Sequence, residues 1–191
     1  MLLNAMYGSV GLDMTSRFSA NAAFRPLFVG LGIVSLSLAS IGGLQGEPAA
    51  TPPPKVAPDF VLLDLNGKEV KLSDFEGKAM VVMFWTTWSK PCQDQLKALT
   101  ELHQQYGGKD FTVLGISLDD KGANVVKAFA DAQKLNFPIV MGDYKIVQDF
   151  GGLQAIPTTF VIEKHHFVVQ RHVGIIEKGT LETELKSAMP R

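Results

Sequence analysis

The sequence predicts an α/β fold: a central mixed β-sheet flanked by helices, with an N-terminal β-hairpin extension. Two observations predict it. Ala79–Trp85 (AMVVMFW) and Phe111–Leu118 (FTVLGISL) are near-continuous apolar runs, the pattern of strands buried on both faces. Each is followed by a segment with apolar residues at helical spacing, Lys90–Tyr106 and Asn124–Leu135 respectively. Strands that alternate with helices in this way pair at least partly in parallel.

Residues 1–46 read as a signal peptide or membrane anchor outside the folded unit. Positions 26–46 carry no charge, Arg17 and Arg25 precede them, and Gly and Ser dilute the apolar run at 27–44. The 13 residues Leu27–Ala39 have the size of a leader h-region, with Ser37-Leu38-Ala39 as the small-x-small cleavage triplet. A spanning helix needs about 20 apolar residues, so membrane attachment through a retained anchor at 27–44 is the competing expectation. No cysteine lies nearby, which excludes lipoprotein processing. Either reading delivers an exported domain, periplasmic or otherwise extracytoplasmic. Residues 47–56 read as a linker: Glu47–Pro58 holds five prolines in twelve residues, which favours extended polyproline II over packing.

The folded unit is expected over 57–191, closing near Met189, long enough for one full core. Phe60–Leu65 and Glu69–Leu72 flank Asn66-Gly67, a hairpin signal. After the first buried strand, Leu96, Leu99, Leu102 and Tyr106 set the helical stripe of Lys90–Tyr106, which stops at Gly107-Gly108. Asn124–Leu135 is an amphipathic helix, and Tyr144–Phe150 a short one leading to Gly151-Gly152. Thr158–Ile162 and Phe167–Val173 read as paired strands, and Thr180–Met189 as a closing helix.

Composition narrows the function. Net charge is −1 and the 18 basic residues are scattered, so no electrostatic footprint for nucleic acid is present. His165-His166 and His172 lack the spacing of a structural zinc site. They read as a solvated hairpin tip, and no metal or cofactor is expected. The chain contains one cysteine, Cys92. An intramolecular disulfide is therefore excluded by counting.

The cysteine sits in the most informative stretch, Phe84-Trp85-Thr86-Thr87-Trp88-Ser89-Lys90-Pro91-Cys92. Three further segments accompany it: Pro58–Phe75 (PDFVLLDLNGKEVKLSDF), Val113–Asp119 (VLGISLD) and Ala155–Ile162 (AIPTTFVI). In order and spacing, these four segments resemble the thioredoxin superfamily. The resemblance is to the exported thioredoxin-like proteins of the TlpA/ResA type and their AhpC/TSA relatives. It covers residues 57–189 and implies a thioredoxin-like fold. It also implies an active-site run F-W-x-x-W-C-x-x-C, in which Ser89 here replaces the attacking cysteine and Cys92 keeps the second position.

Further expectations follow from the resemblance. Pro157 would be the cis-proline facing the site. Trp88 would border it, and Ile156, Pro157 and Thr158 would offer backbone to an extended peptide by strand addition. The site residues are then Cys92 and Ser89 as the catalytic pair, with Trp88, Ile156, Pro157 and Thr158 binding substrate. Met83 stands where many thioredoxins keep a buried acid that moves protons for the second cysteine. The turn Lys164-His165-His166 also lacks the usual Asp-Gly.

The residues leave two roles open for each member of the pair. Ser89 is a preferred N-cap type whose hydroxyl can accept the Cys92 backbone N–H, contributing about 1 kcal/mol, with Pro91 suited to the first turn. Alternatively it hydrogen-bonds the thiolate and lowers its pKa. Cys92 is either a buried small hydrophobe or a lone extracytoplasmic thiol available for intermolecular pairing.

Three functions compete. The first is thiol–disulfide exchange through Cys92 alone, with protein or small thiols and disulfides as partners. The second is a non-catalytic binding module that keeps the cis-proline groove. The third is a one-cysteine peroxidase, for which Ser89-Lys90-Pro91-Cys92 has the S/T-x-x-C spacing of AhpC/TSA peroxidases. Against the third, no proline occurs in Trp85-Thr86-Thr87, and Thr158 stands where an arginine is usual.

Overall fold

A computed structural model describes residues 55–108 and 110–189. The expected leader or anchor at 1–46, and the linker up to residue 54, lie outside the described residues. The first described residues are already paired: Val56 bridges Phe167, with Ala57 N–H donating to the His166 carbonyl at 2.8 Å.

Two short strands, β1 (Val61–Asp64) and β2 (Glu69–Lys71), form the hairpin. Its turn is specified locally. Asp64 Oδ1 accepts the N–H groups of Asn66 and Lys68 at 2.8 and 2.9 Å, and Gly67 takes φ +83°, a conformation that favours glycine. A 3-10 turn, Leu72–Phe75, leads to β3 (Ala79–Trp85), all seven residues of which are buried. Helix α1 (Lys90–Tyr106), β4 (Phe111–Ser117) and α2 (Ala123–Gln133) follow.

Next come β5 (Ile139–Met141) and α3 (Tyr144–Asp149), the latter capped by Asp143, whose carboxylate accepts the Ile146 N–H at 2.8 Å. Strands β6 (Thr158–Ile162) and β7 (Val168–Val173) and helix α4 (Lys178–Ala188) close the chain. Strand β5 is absent from the sequence reading, because three residues are too few to show a period.

The seven strands form one sheet in the order β2-β1-β5-β4-β3-β6-β7. β3 is parallel to β4 and antiparallel to β6, so the sheet is mixed and β3 lies in its interior. Alternate β3 residues feed two cores. Val81, Met83 and Trp85 pack with Cys92, Leu96 and Leu99 of α1 and with Leu181 and Leu185 of α4. Met80, Val82 and Phe84 pack on the other face, where the Phe84 ring meets Phe150 and Phe160 with centroids 5.2 and 5.9 Å apart. Each large apolar side chain buried this way contributes about 1.5–3 kcal/mol.

The expected histidine tip is corrected in part. His165 and His166 lie in the β6–β7 turn, but His172 belongs to β7, where its Nε2 contacts Glu184 Oε2 of α4 at 2.8 Å. Among the described residues no group of metal-ligating side chains assembles, and no helix is long and apolar enough to cross a membrane.

Candidate active site

The site is built at the end of β3. The backbone leaves the strand after Trp85, turns through Thr86–Trp88, and enters α1 at Ser89, which holds the N-cap position in extended conformation. Pro91 occupies the first turn, where its missing N–H costs nothing. Cys92 is thereby the third helical residue, fully buried against Met83 and Leu96.

The capping expectation is corrected. Ser89 makes no side-chain cap hydrogen bond. It stands three residues ahead of the Cys92 thiol, at the head of the same helix. Burial pushes that thiol up from its ordinary value; the Ser89 hydroxyl and the Thr86 main chain draw it back, and the Asp119 carboxylate adds to the rise. Met83 is buried in the same apolar cluster as Cys92 and brings no titratable group to it.

Opposite the end of β3 lies the start of β6, with Phe84 in register with Thr158. The Ile156–Pro157 bond just before it is cis. Ile156 is half-buried and packs on the same apolar cluster as Cys92. Pro157 and Thr158 are buried and largely engaged. The Pro157 carbonyl accepts the Gly174 N–H at 2.8 Å, Thr158 pairs with both Phe84 and Val173, and its hydroxyl donates to the Ala155 carbonyl at 2.6 Å. Trp88 is 67% exposed, a large apolar ring left in solvent at the lip of the site.

Three residues of the site escaped sequence reasoning: Thr87, Gln93 and Asp119. Asp119 is 6% exposed and receives the Thr87 N–H and hydroxyl, while Gln93 Nε2 donates to the Thr87 carbonyl at 2.8 Å. The one available signal was a polar pair, Ser117-Leu118-Asp119, at the end of a buried apolar run.

A parallel β3–β4 pair, a thiol at the head of the helix after β3, and a cis-proline at the start of β6 define a thioredoxin-like protein. The chain belongs to the AhpC/TSA family, whose model matches residues 53–171. It is 34% identical over 163 residues to the thiol-disulfide oxidoreductase ResA of Geobacillus thermodenitrificans, covering 83% of this chain and 93% of that one. It is 37% identical over 134 residues to ResA of Geobacillus kaustophilus, covering 70% and 76%. Among solved structures, a thiol:disulfide interchange protein of the thioredoxin family from Chlorobium tepidum superposes with a TM-score of 0.65 at 27% identity, covering 72% of this chain and 97% of that one.

Proposed function

We propose that this is an exported thioredoxin-like redox protein that performs thiol–disulfide exchange through Cys92 alone. The observation that carries the reading is Cys92 placed as the third residue of α1, behind an N-cap Ser89 whose side chain makes no cap hydrogen bond. A serine retained only as a helix cap would face the backbone. The helix N-terminus and the hydroxyl both favour the thiolate, and burial outweighs them so that the thiol stays above its ordinary value.

The step is a single exchange. The Cys92 thiolate attacks one sulfur of a partner disulfide, the S–S bond breaks, and the other sulfur leaves as a thiolate. Cys92 is then held in a mixed disulfide, and a second, external thiol must attack to release it. No internal resolving thiol exists. Trp88 and Ile156 would receive the partner, with Pro157 and Thr158 fixing the edge along which an extended segment lies. Since the Pro157 carbonyl is already taken, Ile156 is the residue whose main chain such a segment would meet. Export through the 1–46 segment, with the folded unit following the linker, would place this chemistry in an oxidising compartment. Retention of 27–44 would attach it to a membrane.

The full burial of Cys92 favours a second reading, a binder of extended peptides without turnover. The test is to incubate the reduced full chain with oxidised glutathione and measure adduct mass. A single glutathione adduct on the folded protein, absent in Cys92→Ala, is expected. An adduct formed only in denaturant would overturn exchange and leave the binding module.

A further inference from the structure

One carboxylate holds the turn that joins β3 to α1. Asp119 Oδ2 accepts the Thr87 backbone N–H at 2.8 Å, and Oδ1 accepts the Thr87 hydroxyl at 2.6 Å. The Ser117 hydroxyl donates to Oδ2 at 3.0 Å. From the helix side, Gln93 Nε2 donates to the Thr87 carbonyl at 2.8 Å. Thr87 therefore has its N–H, hydroxyl and carbonyl all engaged, two residues ahead of Ser89. Hydrogen bonds to an ionised, buried acceptor are the strong kind, so this anchor resists displacement.

The placement is costly in one respect. A carboxylate beside a thiol opposes the thiolate, and Asp119 does so here. A negative charge kept at that position therefore serves something other than stabilising sulfur charge. We propose that Asp119 is a positioning residue: by clamping Thr87 it sets the turn that places Ser89 at the head of α1, three residues ahead of Cys92. The proposal rests on the reading of Ser89 and Cys92 as a functional pair and deepens it. Asp119 itself touches no substrate.

Clamp and charge are separable. Asparagine at 119 keeps the clamp, because its oxygen accepts the Thr87 N–H and Ser117 hydroxyl while its amide donates to the Thr87 hydroxyl, which is also an acceptor. Alanine keeps neither clamp nor charge. Among the described residues Asp119 is the charge that acts on the thiol. Lys90 pairs with Asp94 on the exposed side of α1, and β3 and Ile156–Thr158 carry none.

The experiment is a double-mutant cycle on the full chain. The titration midpoint of Cys92 is read from thiolate ultraviolet absorbance, with the matching Cys92→Ala protein as blank. Ser89→Ala is expected to raise the midpoint by about one pH unit, the scale of one hydrogen bond to an ionised group. It should do the same in an Asp119→Asn background. In an Asp119→Ala background the effect should fall to roughly a third of that or less. Asp119→Asn alone should lower the midpoint, since it removes only the charge.

An undiminished Ser89 effect in Asp119→Ala would overturn the proposal, as would its loss in Asp119→Asn or its absence from the parent protein. Should Asp119→Ala fail to fold, Thr87→Val removes the hydroxyl half of the clamp and replaces it in the cycle. A Ser89 effect unchanged there overturns the proposal equally. Absorbance reads the thiolate whether or not a partner can reach it. Failure of mixed-disulfide formation therefore ends the exchange reading without deciding the role of Asp119, and the cycle decides that role separately.

Discussion

The side-chain carbonyl of Gln95 accepts the backbone N–H of Ile176 at 2.8 Å, and both residues are buried. This bond ties α1, one turn beyond Cys92, to the segment that runs from β7 into α4. The Gln95 Nε2 has no hydrogen-bond partner among the described residues, so the side chain is kept buried for one bond. Gln95→Leu would leave the Ile176 N–H unpaired in the core. We expect a loss of about 1–3 kcal/mol, the cost of an orphaned buried donor, measured as a lower urea midpoint at unchanged slope. An unchanged midpoint would mean that the released N–H finds water.

Packing behind the site is tight at Gly115. A Cβ there would lie 3.0 Å from Trp85 Nε1, 3.3 Å from Phe137 and 3.4 Å from Ile139. Trp85 is fully buried and immediately precedes the Thr86–Trp88 turn, so it cannot yield without moving the site. Gly115→Ala is expected to destabilise by about 1–3 kcal/mol through overpacking. Trp85 fluorescence should shift in the same variant. Wild-type stability with an unmoved spectrum would show that β4 absorbs the methyl group.

What the sequence made legible was local. Ala79–Trp85 declared its burial by apolar continuity, and Asp64-Leu65-Asn66-Gly67 carried its own turn chemistry. The position of Cys92 at a helix start followed from Ser89 and Pro91. The missing cap bond of Ser89 did not follow, nor did the anchoring of the turn before it by Asp119, 32 residues from Thr87. The same distance hid Asp119 itself, which in linear sequence is one more acid after a strand. Gln95 was hidden for a related reason: its partner is a backbone N–H 81 residues away, and no pattern of residue types records such a pairing.

Alkaline pH should weaken the fold through Cys92. Burial raises the thiol in the folded state, so the folded chain holds a proton that the unfolded chain has released once pH exceeds the unfolded value of about 8.5. Protons bound by the native state in excess make stability fall as pH rises. The contribution is complete below the unfolded value and is lost as pH climbs toward the folded one. Urea midpoints measured from pH 7 upward should therefore decline more steeply in the parent protein than in Cys92→Ala. Parallel declines would show that the buried thiol titrates as an ordinary one.

Hydrogen peroxide separates this site from that of a peroxidase. Peroxide attack by a thiolate breaks the O–O bond, leaving sulfenic acid on sulfur and expelling hydroxide, a departure that a nearby cation assists. Thr158 occupies the position where an arginine would serve, and its hydroxyl is committed to the Ala155 carbonyl. Arg171 lies on the opposite face of the sheet, in register with Phe160, stacked 5.6 Å over that ring and donating to the Gly152 carbonyl. Thr158 carries no charge, and Arg171 is not among the groups whose charge acts on the Cys92 thiol. We expect sulfenic acid at Cys92 to form no faster than on an unactivated thiol, measured by trapping with a carbon nucleophile and mass analysis over time. Rapid trapping that saturates with peroxide would place the chain among the one-cysteine peroxidases and require a different source of charge at the site.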